Sequence, residues 1–317
     1  MSTSTNIQFA TSPVMLAAWP GMGNVGMIAV DYLRRKLEAE QFADIDMRPF
    51  FVPEAITVRN GKMIKPQPPE SSLYYKKNPD MVFFESSSQL HGRESVAFTH
   101  NVLNAAQQMG VKRILTAAAI PVQSSHNEKP QLFYAATNDE LSKTLKQKGL
   151  QPLPGGEITG PAGLLPTMAE NHGIEAACIL VTMPAYAGSV SYPKAALEVI
   201  RKLQELTDAQ VDFDDLIKAV EQMDEMFEQM EQQMRKHLPG MLGNKEPEQS
   251  HLLPEYPAEE LPAKPKKPEI PEELRQRIEE LFAIASNDKS KAMELKAELD
   301  KHRLFAKYEK RFLDLFR

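Results

Sequence analysis

The sequence predicts an α/β protein with two helical additions, and three observations carry that reading. Residues 12–207 alternate short apolar runs with amphipathic stretches, and Gly and Pro mark the joints between them. Val211–Leu238 then repeats apolar residues at helical spacing. A run of prolines from Pro239 to Pro271 separates that stretch from a last amphipathic pattern. The expected organisation is an α/β domain over 1–207, an amphipathic helix over 208–238, a linker over 239–271 and a helical hairpin over 272–317.

Within the first zone, Val14–Trp19 is an apolar run of strand length. Asn24–Leu37 follows as a helix, with Val25, Ile28, Ala29, Tyr32 and Leu33 on one side. Ile45–Val58 is rich in β-branched and aromatic residues and reads as strand-like, and Asn60-Gly61 is a hairpin turn signal. Ser72–Tyr75 and Met81–Phe84 are strands separated by Asn78-Pro79-Asp80. Arg93–Met109 is a helix, and Arg113–Ala119 and Gln131–Ala136 are strands. Asn138 or Asp139 caps a helix ending near Lys148. Ala176–Thr182 is a buried strand and Tyr192–Leu206 the closing helix.

In the second zone Phe213, Leu216, Val220, Met223, Phe227, Met230 and Met234 are spaced 3, 4, 3, 4, 3, 4, a heptad seam. The flanking positions are mostly acidic: Asp212, Asp214, Asp215, Glu221, Asp224, Glu225, Glu228 and Glu231 against Lys218, Arg235 and Lys236. Two readings stand side by side: a helix packed on its own domain, or a contact between subunits through an adaptable Met-rich seam. In the last zone Pro271, Glu272 and Glu273 suit a helix start. Leu274, Ile278, Leu281 and Phe282 form its stripe, Ser286-Asn287-Asp288 break it, and Met293, Leu304, Phe305, Tyr308, Phe312 and Leu315 serve a second helix.

Composition excludes several functions. A net charge of −6 and a pI near 5.8 leave no electrostatic footprint for nucleic acid. The single cysteine, Cys178, cannot form an internal disulfide, lies in an apolar run and reads as a buried strand thiol in a reducing, cytoplasmic compartment. The opening residues lack the basic and apolar regions of a signal peptide, and no apolar run approaches a membrane span. The histidines are scattered without metal-ligand spacing, and no G-x-S-x-G elbow occurs. Neither metal nor cofactor is expected.

Gly21-Met22-Gly23-Asn24-Val25-Gly26 reads G-x-G-x-x-G between a strand and a helix, with Asp44 and Asp46 about 20 residues on, as in a dinucleotide fold. Pro20 stiffens the turn, and both aspartates precede the strand-like run Met47–Val58 instead of closing it, which weighs against a nucleotide. Glu85, Ser86, Ser87, Ser88, Gln89 and His91 follow a strand end, where an α/β sheet binds ligands. With Pro20, Gly21, Gly23, Asn24 and Gly26 they form a candidate ligand or recognition loop. Gly160-Pro161-Ala162-Gly163 makes a second glycine-rich segment, read as a tight corner.

Trp19-Pro20-Gly21-Met22-Gly23-Asn24-Val25-Gly26, followed by Asp31-Tyr32-Leu33, resembles the opening of the proteasome-assembly-chaperone family in its second type. Further marks keep that family's order: Phe133–Asn138, Gly156–Leu165, and Thr182-Met183-Pro184-Ala185-Tyr186. The resemblance implies a three-layer, phosphorylase-like α/β fold with a mixed sheet, homo-oligomers, and protein partners in place of nucleic acid or membrane. It also implies a C-terminal docking motif in some members, hydrophobic-Tyr-any. Here the chain ends Leu315-Phe316-Arg317, with Phe where the motif has Tyr, and the competing reading is that Phe312, Leu315 and Phe316 complete an apolar stripe. The leading expectation is therefore a non-catalytic, oligomeric, protein-binding chain. The alternative is a protein or enzyme that binds a nucleoside, nucleotide or phosphate through Gly21–Gly26 and Glu85.

Overall fold

Along β1 (Val14–Ala18) successive side chains enter opposite cores, Leu16 and Ala18 on one face and Met15 and Ala17 on the other. That alternation is the period of a strand buried on both sides. In this computed structural model the described residues are 7–53, 55–237, 272–287 and 291–302, with 304, 308, 311, 312 and 315. The chain divides into two compact units, Met1–Tyr256 and Pro257–Arg317.

The first unit continues with α1 (Val25–Lys36), β2 (Glu40–Asp44), β3 (Thr57–Arg59), β4 (Lys62–Ile64), β5 (Ser71–Lys76) and β6 (Met81–Ser86). Then come α2 (Gly92–Gln108), β7 (Arg113–Val122), β8 (Leu132–Ala136), α3 (Asp139–Gln147), β9 (Gln151–Pro152), α4 (Pro161–Ala169), β10 (Glu175–Pro184), α5 (Pro193–Thr207) and α6 (Asp214–His237). Eight strands form one sheet in the order β2-β5-β6-β1-β7-β10-β8-β9. Its centre, β6-β1-β7-β10, is parallel. Antiparallel pairing of β5 with β6, β2 with β5 and β8 with β10 makes the sheet mixed. Helices α1, α3, α5 and α6 cover one face, and α2 and α4 the other, so the domain has three layers as expected.

α1 lies close to the sheet because Gly26 lacks a side chain: a Cβ there would come within 2.4 Å of the Ala117 carbonyl oxygen on β7. Asn138 caps α3 by accepting from the Leu141 amide at 2.8 Å. Cys178 is buried on β10, and burial pushes its thiol up to about 12, far from a reactive thiolate.

Three elements differ from the sequence expectation. The second strand is Glu40–Asp44, a largely exposed polar edge strand, and 47–53, 55 and 56 are not strand. Ile45 and Met47 are apolar because they plug the second core from the loop after β2, and the Ile45 N–H there still donates to the Ser71 carbonyl of β5 at 3.1 Å. Val58 does belong to a strand, in the β3–β4 hairpin, which turns at Asn60 (φ 50°) and Gly61 (φ 75°) as the Asn-Gly signal implies. Gly160-Pro161-Ala162-Gly163 is not only a corner: Pro161 is the first residue of α4.

The heptad helix is α6, and its seam faces its own domain. Leu216 and Phe227 are buried in the first core, and Phe213, Val220, Met223 and Met230 are half-buried against it. The side chain of Met234 lies outside the described residues. In the second unit, α7 (Glu272–Asn287) and α8 (Ala292–Lys301) pack Ile278, Leu281, Phe282 and Ala285 against Leu295, Leu299 and Phe312. Leu274, Leu304, Tyr308 and Leu315 are half-buried around them. Arg311 crosses to Glu279 through two hydrogen bonds of 2.7 Å. The linker 239–271, the side chain of Met293, and Phe305, Phe316 and Arg317 lie outside the described residues.

Phe227 is 0% exposed, so Phe227→Ala is expected to cost about 3–5 kcal/mol. Chemical denaturation of the isolated chain at low concentration reads this directly. Unchanged stability together with lost self-association would instead assign the seam to a contact between subunits.

Candidate functional site at the carboxyl edge of the sheet

The four parallel strands end on one edge, which is where open α/β sheets bind ligands. Segments 19–24, 87–91, 123–131 and 185–192 leave them there.

The glycine segment is knitted into its neighbours. The Gly23 N–H donates to the Gly188 carbonyl at 3.1 Å, the Asn24 N–H to Gly21 at 2.9 Å, and the Tyr192 N–H to the Gly23 carbonyl at 2.8 Å. The Asn24 side-chain amide donates to Ser191 Oγ at 3.3 Å, and that of Gln89 to the Pro20 carbonyl. Gly23 has φ 60°, and a Cβ on it would sit 2.8 Å from Met183 Sδ. The Gly23 and Asn24 amides are thus spent within the protein, and the segment works as a clasp between the ends of β1, β6 and β10. Asp44 does close the second strand, contrary to the sequence expectation. Yet β6 and β5 separate that strand from β1, and Asp44 accepts from Ser72 Oγ at 2.7 Å, so the ribose acid of a dinucleotide fold is out of place.

Of the residues after β6, only Gln89 meets the clasp. Glu85 pairs with Arg34 Nε on α1 at 2.7 Å; burial raises its carboxyl, and Arg34 opposes the rise. Arg34 also bonds Asp31 and lies over the Tyr74 ring at 4.4 Å. The Ser86 hydroxyl is buried and donates to the Ser88 carbonyl at 2.8 Å.

A second cluster on this edge was not read from the sequence. Glu231 of α6 is 2% exposed and accepts from Ser125 Oγ (2.9 Å), the His126 N–H (2.8 Å), His126 Nδ1 (2.7 Å) and the Tyr186 hydroxyl. Burial pushes its carboxyl up, but donation from Tyr186, His126 and Ser125 outweighs burial and holds it at about 2. Phe227 packs against the rings of His126, Tyr186 and Tyr192 at centroid distances of 6.4, 6.2 and 5.2 Å. Lys194 reaches the His126 carbonyl and Asp224 of α6, the latter at 3.3 Å. At the other end of the helix, Tyr32 donates to the Asp212 carbonyl at 3.0 Å, and Lys36 pairs with Asp215 at 3.0 Å. Ser, His and Glu meet here without the order of a catalytic triad. Ser125 and His126 Nδ1 both turn to the carboxylate, and Nε2 faces Glu228 at 3.4 Å, so no hydroxyl is activated. The arrangement is a latch that holds α6 on the domain. One signal was available: Glu231 follows the seam residue Phe227 by four, on the same side of the helix.

Among the described residues no group of three His, Cys, Asp or Glu could hold a metal ion, and no helix is long and apolar enough to cross a membrane. Because Glu231 is held at about 2 against an ordinary 4.5, its contribution to stability is present above about pH 4.5 and is lost as pH falls towards 2. The wild type is therefore expected to lose more stability than Glu231→Gln between those pH values. Denaturation midpoints of both proteins across that range check it, and parallel curves would refute the latch.

The PAC2 family model matches residues 15–231. The chain is 24% identical over 232 residues to the uncharacterised protein MJ1210 of Methanocaldococcus jannaschii, covering 73% of this chain and 89% of that one. Its fold matches two crystal structures from Pyrococcus furiosus. PbaB, described as an archaeal proteasome activator, aligns with a TM-score of 0.59 at 23% identity over 69% of this chain and 93% of its own. PbaA, described as an archaeal homolog of proteasome-assembly chaperone, aligns with a TM-score of 0.57 at 20% identity over 73% and 91%. The matched span runs from the glycine clasp to the latch carboxylate, and the chain belongs to the PAC2 family, that of the proteasome-assembly-chaperone homologues.

Proposed function

We propose that this chain is a non-catalytic, oligomeric, cytoplasmic protein that binds other proteins in the manner of an assembly chaperone, with proteasome subunits as the partner class. Family membership supports the role, and PbaB and PbaA supply the partner class.

The observation that carries the reading is the β3–β4 hairpin and its flanks. Met63 is 83% exposed, and Val58, Ile64 and, just before the hairpin, Ile56 are exposed with it. Arg59, Lys62 and Lys65 accompany them, and residues 55–69 contain no Asp or Glu. Exposed apolar side chains grouped on one protrusion mark a surface awaiting a partner, and the basic residues suit an acidic one. The unpaired edges of a two-stranded ribbon add backbone groups that a partner strand can use. The titratable groups at the carboxyl edge support a binding role as well, since Glu85, Glu231 and His126 are engaged by structural partners.

The test is co-elution of the purified chain with free proteasome subunits and with the assembled core particle of its own source organism, read by native mass spectrometry. Wild type is expected to self-associate and to capture subunits. Val58→Asp with Met63→Asp is expected to lose capture while keeping its thermal midpoint. A chain lacking 315–317 is expected to retain capture, because Leu315 is engaged within the C-terminal unit. A monomeric wild type that ignores every proteasome species would end the proposal.

A further inference from the structure

The histidines are scattered along the sequence, yet the fold brings two of them side by side: His100 on α2, and His172 on the single turn that follows α4. His100 Nδ1 lies 3.3 Å from His172 Nε2. The ring centroids are 5.6 Å apart and the rings are inclined by 46°. Both side chains stand on firm supports. α2 buries Phe98, Val102 and Leu103 around His100, and Ala169 and Ile174, on either side of the His172 turn, are buried in the same core.

Gln107 decides which nitrogen of His172 is free. Its amide nitrogen donates to the His172 carbonyl at 2.9 Å, and a carbonyl can only accept. Its amide oxygen is thereby left facing His172 Nδ1, at 3.1 Å, where it accepts a hydrogen from the ring. With the proton fixed on Nδ1, the lone pair of the neutral ring is on Nε2, the atom that meets His100. A metal-ligating imidazole is held in the same way, its second nitrogen donating to an oxygen that sets tautomer and ring orientation.

The spacing suits an ion as well as a hydrogen bond. Two nitrogens, each about 2.0–2.1 Å from a tetrahedral Zn²⁺, stand about 3.3 Å apart. Without an ion, His100 Nδ1–H donates to the His172 lone pair. With one, His100 carries its proton on Nε2 and both lone pairs meet the metal. Imidazole selects late divalent transition ions, whereas Mg²⁺ and Ca²⁺ take oxygen ligands. His100 and Gln107 are exposed and His172 is half-buried, so water can reach the remaining coordination positions. Completion from solvent is what a pair requires, since among the described residues no third His, Cys, Asp or Glu joins it.

We propose that His100 and His172, with Gln107 positioning His172, form a surface site for a late divalent transition-metal ion of the Zn²⁺ and Cu²⁺ class, completed by water. The site uses none of the hairpin's residues, so it stands or falls apart from protein capture.

Titration calorimetry on the untagged full chain, with Zn²⁺, Cu²⁺ or Mg²⁺ as the only added metal, tests it. The tightest Zn²⁺ site is expected to hold one ion per chain, Cu²⁺ to bind it more tightly, and Mg²⁺ to leave it empty. His100→Ala and His172→Ala are each expected to weaken that site at least roughly tenfold. Gln107→Ala keeps both ligands and is expected to weaken it roughly 10–100-fold. Electron paramagnetic resonance of the Cu²⁺ complex separates the roles. Wild type and Gln107→Ala are expected to show coupling to two imidazole nitrogens, and either histidine variant to only one. Because His100 is exposed, His100→Ala is expected to leave the thermal midpoint of the metal-free protein unchanged, which keeps a loss of binding distinct from a loss of fold. The proposal fails if neither Zn²⁺ nor Cu²⁺ binds at millimolar concentration, if Mg²⁺ binds as tightly, or if the histidine variants bind like wild type. It also fails if the wild-type Cu²⁺ spectrum lacks the two-nitrogen pattern, the signature of a plain His–His hydrogen bond with metal held elsewhere.

Discussion

A carboxylate carried into an apolar setting is costly unless hydrogen bonds surround it, and Glu231 is carried there on the helix that closes the first core. The donors that accept this burden come from two loops, Ser125 and His126 after β7 and Tyr186 after β10. Each loop therefore has its position set by α6, and α6 has its depth set by the loops. Phe227, one turn earlier on the helix, fills the space between the same side chains. Remove α6 and three rings and two loops lose their common partner. The polar contacts supply direction here, whereas the burial of Phe227 and Leu216 supplies most of the driving force.

The carboxyl edge is consequently a fastened structure along much of its length. Gly23 tucks beneath Met183 and ties to Gly188 and Tyr192, so the turn after β1 is locked to the segment after β10. Tyr192 then links two regions: its amide holds the clasp and its ring packs on Phe227. One residue thus couples the glycine turn to the closing helix.

What the sequence disclosed follows from range. The helices α1, α2 and α5 were legible because each repeats its apolar residues within a few positions, and the Asn60-Gly61 turn because two residues dictate its backbone. β2 was missed because an exposed edge strand of sequence Glu-Gln-Phe-Ala-Asp has no apolar run to betray it. The stretch after it is over-read because Met47 reports burial, which a loop can achieve without belonging to a strand. The seam of α6 was legible, and its target was not, since heptad spacing shows that a face is apolar without naming what covers it. The latch was hidden for a simpler reason. Glu231 meets Tyr186 across 45 residues and His126 across 105, and no local pattern encodes such pairings.

The two candidate sites stand on different elements. The hairpin interrupts the connection from β2 to β5, at one end of the strand order, whereas the histidine pair bridges α2 and the turn after α4, on the face of the sheet that those helices cover. An ion held by His100 and His172 would join two elements that already pack on one core, and so would fasten what burial has placed. Neither site uses the clasp, which ties the end of β1 to the turn before α5 and so fixes the carboxyl edge itself. That clasp is built from backbone hydrogen bonds and a glycine that accepts no side chain, and such a joint transmits position better than it tolerates change.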